Sequence, residues 1–175
     1  MSEEVKYKEE KPHRVKRIVW AVVNATLFRL ACRFGRNGLL RLFGAKMGRG
    51  CIVYRSATIF APWNLEMGDR VCVGPQAELY SKDKIKIGSR TAISQDAYIC
   101  TAGHDIKVAG RPLKTAPVII GDECWVAARA AVLPGVVLSD GCVVGACAVA
   151  AKSFPKNSVI VGNPGMAIRQ RPFER

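Results

Sequence analysis

From Ile120 to Ala151 the chain reads IGDECWVAARAAVLPGVVLSDGCVVGACAVAA, with an aliphatic or small residue at every sixth place: Ile120, Val126, Val132, Leu138, Val144 and Ala150. Four places after these leading residues stand Cys124, Ala130, Val136, Cys142 and Ala148. An amphipathic helix repeats its apolar face at about 3.6 residues and a half-buried strand at about 2, so a strict six is neither. It reads instead as a short strand plus a corner, stacked into a parallel β-helix whose turns bury their inner faces on one another.

The same register runs upstream through Met47, Val53 and Ile59, then Met67, Val73 and Leu79, then Ile87, Ile93 and Ile99. Three hexads make one triangular coil. The register slips by two residues before Met67 and again before Ile87, and a longer break separates Ile99 from Ile120. Each irregularity follows a third hexad, so all of them should leave the prism at one corner. Fifteen leading residues give five coils, a column roughly 24 Å long at about 4.8 Å per layer. Ala57, Val71, Ala77, Thr91 and Ala97 continue the small-residue column, and Trp63 breaks it.

Ahead of the repeat, Val15, Ile18, Val19, Val22, Val23, Leu27, Leu30 and Phe34 recur at threes and fours among basic residues. This predicts an N-terminal helix ended or kinked at Gly35 and Gly38. Asn24 and Thr26 interrupt its apolar run, so it is too polar to span a bilayer. It should cap the exposed edge of the first coil, and a second reading lays it on an anionic membrane surface. The expected division is a polar, mobile tail over 1–13, a helical cap over 14–46, a β-helix over 47–155 with a loop at 104–119, and a C-terminal cap over 156–175.

The chain has 175 residues, enough for one domain with a substantial core. Its 27 Lys and Arg against 14 Asp and Glu give a net charge of +13, which favours anionic partners. Nucleic acid is not expected among them, because the basic residues are not interleaved with stacking aromatics. Seven cysteines without a CxxC pair, and no secretory signal pattern, suggest a reduced cytoplasmic protein. Cys51, Cys124 and Cys142 fall in the small column and Cys100 follows Ile99, so packing accounts for them.

The long break begins TAGHDIKVAG, and the only histidine outside the tail, His104, stands at its mouth. A histidine near neutral pKa can take the proton of a hydroxyl as it attacks a carbonyl. Three-histidine metal chemistry has no ligands here, and neither GxGxxG nor a P-loop occurs.

ICTAGHD, IGDECWVAARAAVLPGV, VVGACAVAAKSFP and VGNPGMAIRQR resemble the hexapeptide-repeat acyltransferases, which include galactoside and maltose acetyltransferases. NATLFRL, LLRLFGAKMG, PWNLEMGD and ISQDAYICTAGHD more narrowly resemble the colanic-acid-biosynthesis acetyltransferases of bacterial exopolysaccharide pathways. The matches span roughly residues 15 to 173. The resemblance implies an all-β, left-handed parallel β-helix of about five coils with an N-terminal helical cap and one long loop. It implies a homotrimer with active sites between subunits, acetyl-CoA as co-substrate and no metal.

The same likeness implies His104 as general base, with Trp125 near the acyl end and Ala128 and Ala146 along the pantetheine arm. Ala151 and Lys152 would lie further along the groove, and Lys152 and Arg169 would meet CoA phosphates; Lys152 reads equally as a solvated surface lysine. Two positions depart from the pattern: Gly74 stands where an acceptor-binding asparagine is usual, and GNPG with Met166 replaces GNPA with a basic residue.

The implied activity is O-acetylation of a sugar hydroxyl on an exopolysaccharide or other surface-polysaccharide precursor, in the cytoplasm or at the inner face of its membrane. Two alternatives stay open. One is an acetyltransferase for a small molecule such as a xenobiotic, an amino acid or a nucleotide-sugar amine; the other is a non-catalytic trimeric β-helix that binds anions or membrane.

Overall fold

In a computed structural model, which describes residues 14–172, five triangular coils form a parallel β-helix. Sheet A stacks Lys46–Met47, Leu65–Met67, Ile85–Ile87, Val118–Ile120 and Val137–Leu138. Sheet B stacks Ile52–Val53, Cys72–Val73, Ala92–Ile93, Trp125–Val126 and Val143–Val144, and sheet C stacks Thr58–Ile59, Glu78–Tyr80, Tyr98–Cys100, Ala131–Val132 and Val149–Ala150. The leading residues of the repeat all sit in these strands, and each is buried except Met47, which packs half-exposed against the core.

The period of six comes from the backbone. Two or three extended residues are followed by a corner, and the corners between sheets A and B hold Gly50, Arg70, Arg90, Glu123 and Gly141 at φ of 55–72°. Gln76, Asp96, Arg129 and Cys147 do the same between sheets B and C. Most of these are not glycine, so it is the stacked ladder that holds them left-handed, against a modest steric cost. Small residues fill the inner side of each corner because the chain turns back on itself there.

The corner between sheets C and A behaves differently, and every register slip lies on it. Pro62–Asn64 forms a 3₁₀ turn there, and Leu65, Ile85 and Val118 take the inward place that the small column fills elsewhere. Trp63 therefore breaks the column because Leu65 has replaced it.

At the first coil, backbone carbonyls have no further strand to bond. Side chains of the N-terminal segment supply the donors on all three sheets. Arg41 donates to the carbonyls of Met47 and Gly48 at 3.2 and 3.0 Å, Arg36 Nε to Val53 at 2.9 Å, and Trp20 Nε1 to Ile59 at 2.7 Å. Asn37 Nδ2 donates to Cys51 at 2.9 Å. An edge strand needs such cover, and here it is polar by necessity.

That requirement corrects the expected helix. The segment forms three helices, α1 (Arg14–Ala25), α2 (Leu27–Leu30) and α3 (Arg33–Leu42). The break comes at Thr26, whose Oγ1 bonds back to the Val22 carbonyl at 2.7 Å, while Gly35 and Gly38 lie inside α3. Trp20, Phe28, Asn37 and Leu40 are the buried residues of these helices. Of the apolar series read from the sequence only Val23 packs on the core, and the other seven are exposed. Trp20→Phe keeps most of the ring but leaves the Ile59 carbonyl unpaired. It should cost about 1–3 kcal/mol, read as a lower denaturation midpoint at fixed protein concentration; an unchanged midpoint would remove the capping role.

The far end is closed by Ser158–Val161, which adds to sheet B beside Val143–Val144, and by Met166–Gln170, which folds back antiparallel on it. The expected tail over 1–13, including His13, lies outside the described residues, as do the last three residues of the C-terminal segment.

Candidate functional site

The long loop expected over 104–119 is built on an antiparallel β-hairpin within the break between Ile99 and Ile120. Ala102–His104 pairs with Leu113–Thr115, with His104 opposite Leu113. Its base is tied to the prism: the Thr101 hydroxyl donates to the Tyr80 carbonyl at 2.8 Å and also receives the Asp83 amide at 2.9 Å. Paired strands hold a side chain in a narrower range of positions than a free loop would.

His104 is exposed, and its Nδ1 lies 2.7 Å from the Arg111 carbonyl oxygen. A carbonyl only accepts, so Nδ1 carries a proton, and in the neutral ring Nε2 is then the nitrogen with the lone pair. Arg111 adopts φ +46° next to Gly110 at +81°, the turn that aims this carbonyl at the ring. The main-chain orienter is absent from any side-chain reading; GRP at 110–112 was its only trace in the sequence. His104, Ile106, Gly110 and Arg111 line one open hollow.

The other expected site residues fall into two groups. Ala128 and Ala146 stack one coil apart on the corner between sheets B and C, where the Cys147 amide bonds the Ala128 carbonyl. Trp125 lies on sheet B just before that corner, half exposed, with its Nε1 donating to Ser94 Oγ at 2.9 Å. Ser94 fixes the indole and was not foreseen, because the 33-residue step between stacked positions here hides the pairing. Arg169, exposed, pairs with Val159 on the same side.

Ala151 and Lys152 occupy the opposite corner of sheet C. The register of Ile99 on Val132 on Ala150 sets Ala151 two coils below Cys100, where the hairpin leaves. Lys152 is exposed, with Nζ 3.9 Å from Met166 Sδ and 5.8 Å from the Phe154 ring centroid. One face of the prism, five residue steps or about 16 Å, separates the two groups. A single chain therefore does not gather them into one cleft.

Gly74 has a local explanation. A Cβ there would stand 2.9 Å from backbone atoms of Ser94 and Gln95, so the next coil excludes any side chain at this position. Cys100 is buried with its thiol on the Ala102 carbonyl, as packing predicts. Among the described residues no three His, Cys, Asp or Glu side chains are grouped to hold a metal ion.

No family model matches the chain. WcaF of Escherichia coli strain K12, named for acetyl transfer in colanic acid biosynthesis, is 41% identical over 160 residues, covering 90% of this chain and 88% of its own length. Among solved structures, a maltose O-acetyltransferase from Clostridium difficile 630 superposes with TM-score 0.82 at 24% identity, over 95% of this chain and 92% of that one. The hexapeptide-repeat acetyltransferase VCA0836 of Vibrio cholerae, solved with acetyl-CoA, gives 0.86 at 16% identity over 96% and 94%. The coil is the left-handed parallel β-helix that such structures share.

Proposed function

Because the chain belongs to the colanic acid biosynthesis acetyltransferases of the hexapeptide-repeat class, we propose that it transfers acetyl from acetyl-CoA to a sugar hydroxyl of an exopolysaccharide or other surface-polysaccharide precursor. The observation that supports this mechanism is the 2.7 Å contact of His104 Nδ1 with the Arg111 carbonyl, which favours the neutral tautomer with Nε2 as the basic nitrogen.

Nε2 takes the hydroxyl proton as the sugar oxygen bonds to the thioester carbonyl carbon. The tetrahedral adduct then collapses, the carbon–sulfur bond breaks, and the imidazolium returns the proton to the leaving CoA sulfur. Acetyl-CoA supplies the activated acyl group, and the chain supplies alignment and the base.

The site closes between the copies of a homotrimer. Ala128 and Ala146 leave room for a thin pantetheine arm along one prism, while the hairpin corner of its neighbour brings His104, Ala151 and Lys152. Ile106, Val108 and Leu113 of the hairpin are exposed apolar side chains suited to burial against that neighbour. Trp125 bounds the acyl end, and Lys152 and Arg169 face the CoA phosphates as cations. With Gly74 bare, acceptor contacts come from other positions than the usual asparagine. The acceptor is a sugar or lipid-linked saccharide, and the enzyme works in the cytoplasm or at the inner face of the cytoplasmic membrane.

The test is release of free CoA thiol from acetyl-CoA with a panel of saccharide acceptors, alongside light scattering for mass. Acceptor-dependent release by a trimer, with an acetyl ester on the saccharide by mass spectrometry, is expected. An amide product on amino sugars alone would overturn the hydroxyl acceptor, and a monomer of full activity would overturn the intersubunit site.

A further inference from the structure

The helical cap turns an apolar, basic face to solvent, and we infer that this face docks on the surface of an anionic lipid bilayer, with the prism standing cap-first on the membrane. This deepens the acceptor reading above, since a saccharide would then be delivered from the lipid surface, but the docking itself stands on separate observations.

Val15, Ile18, Val19 and Val22 occupy one line along α1, at successive threes and fours, and are 75, 61, 47 and 60% exposed. Leu30 on α2 and Phe34 on α3 are also exposed, at 85 and 76%. Trp20, on the opposite side of α1, is held to the Ile59 carbonyl, so this line is turned away from the prism. Single exposed apolar residues are ordinary, whereas a cluster of six in one short segment marks a contact surface.

Charge decides the partner. Between Arg14 and Ala45 the chain has arginines and a lysine and not one Asp or Glu. Arg14 and Arg33 are exposed on the same helices, whereas the Arg17 guanidinium turns to the prism and lies 5.6 Å from the Phe60 ring centroid. Cations flanking an apolar face fit anionic headgroups above acyl chains. A second copy presented face to face would set arginine against arginine with no carboxylate between them. Residues 1–13 offer only Met1, Val5 and Tyr7 as large apolar side chains, too few to cover six.

The 12 residues of α1 span about 18 Å, and no described helix is long and apolar enough to cross a membrane, so the cap lies in the interface. The hairpin leaves the third coil, two layers or about 10 Å beyond the capped first coil at about 4.8 Å per layer. His104 would then face the saccharide portion of a lipid-borne acceptor rather than its headgroup.

Flotation of the full-length protein with vesicles of phosphatidylcholine and phosphatidylglycerol tests this, with pure phosphatidylcholine vesicles as the neutral arm. Binding to the anionic vesicles is expected, with weaker binding to the neutral ones and as salt is raised from about 0.1 M. Ile18→Glu/Val22→Glu should reduce binding at least about tenfold, and Leu30→Glu should act in the same direction from another helix. Circular dichroism, mass by light scattering and thioester turnover on a soluble saccharide are read in parallel.

No binding by the wild-type protein, or equal binding by both variants, overturns the inference. Loss of the trimer in the variants also overturns it, since the face would then be a subunit contact. Because turnover on a soluble acceptor does not need the membrane, failure to bind vesicles leaves the acetyltransferase reading standing. Failure of turnover likewise leaves a positive flotation result intact.

Discussion

Replacing His104 by alanine is expected to lower turnover by about 10²–10⁴-fold while the protein keeps its mass and its melting temperature. The side chain is exposed at the end of a paired hairpin strand and meets the Arg111 carbonyl, so its loss should perturb the hairpin little. What disappears is the base at Nε2, and the acceptor hydroxyl must then lose its proton to water. Because substrates still bind, KM for acetyl-CoA should change far less than kcat. Free-thiol release measured on both proteins at saturating acetyl-CoA checks this, and equal rates would take His104 out of the chemistry. The experiment also separates an enzyme from a β-helix that merely binds anions, since only the former has a rate to lose.

Leu79→Ala should destabilise the fold by about 2–5 kcal/mol. Leu79 is fully buried in sheet C, with Ile59 stacked on one side and Ile99 on the other. Ladder bonds from Phe60 to the Leu79 carbonyl and along the neighbouring strands hold these coils at strand spacing. The cavity therefore has little means of collapsing. In a solenoid each coil contacts only its neighbours, so one void weakens two coil interfaces at once. Urea unfolding at fixed protein concentration is the measurement, because assembly would otherwise shift the midpoint. Leu30→Ala, at 85% exposure, is the matched control and should stay within about 0.5 kcal/mol. A similar loss in both would mean that the inner column is not what carries the stability.

The inner column was legible because its cause is local. A residue such as Ile93 or Val126 points inward whenever two extended residues are followed by a left-handed corner, and the corner recurs every six. The position of each slip was legible for the same reason, since a triangular coil has one corner after each third strand. His104 stood out by being a single chemical type at the one long departure from that rule.

The helical cap was not legible in the same way. Its apolar periodicity at Val15, Ile18, Val19 and Val22 looks like a packing face, yet the edge it covers is a row of unpaired carbonyls. Trp20, Arg36, Asn37 and Arg41 meet that edge because each combines a donor with enough reach. Hydrophobic pattern alone does not register a demand for donors, and so it selected the opposite side of α1.

By itself, the sequence determined the coil count and the inward residues, because a period of six is a property of neighbouring residues and of backbone sterics, and it singled out His104 as the candidate base. Only the tertiary structure decided which side of α1 faces water, which nitrogen of His104 is free, and that Ala128 and Ala151 stand on different corners. Each of those depends on partners far away in the chain: the edge carbonyls of the first coil, a turn seven residues past the histidine, and the width of a prism face.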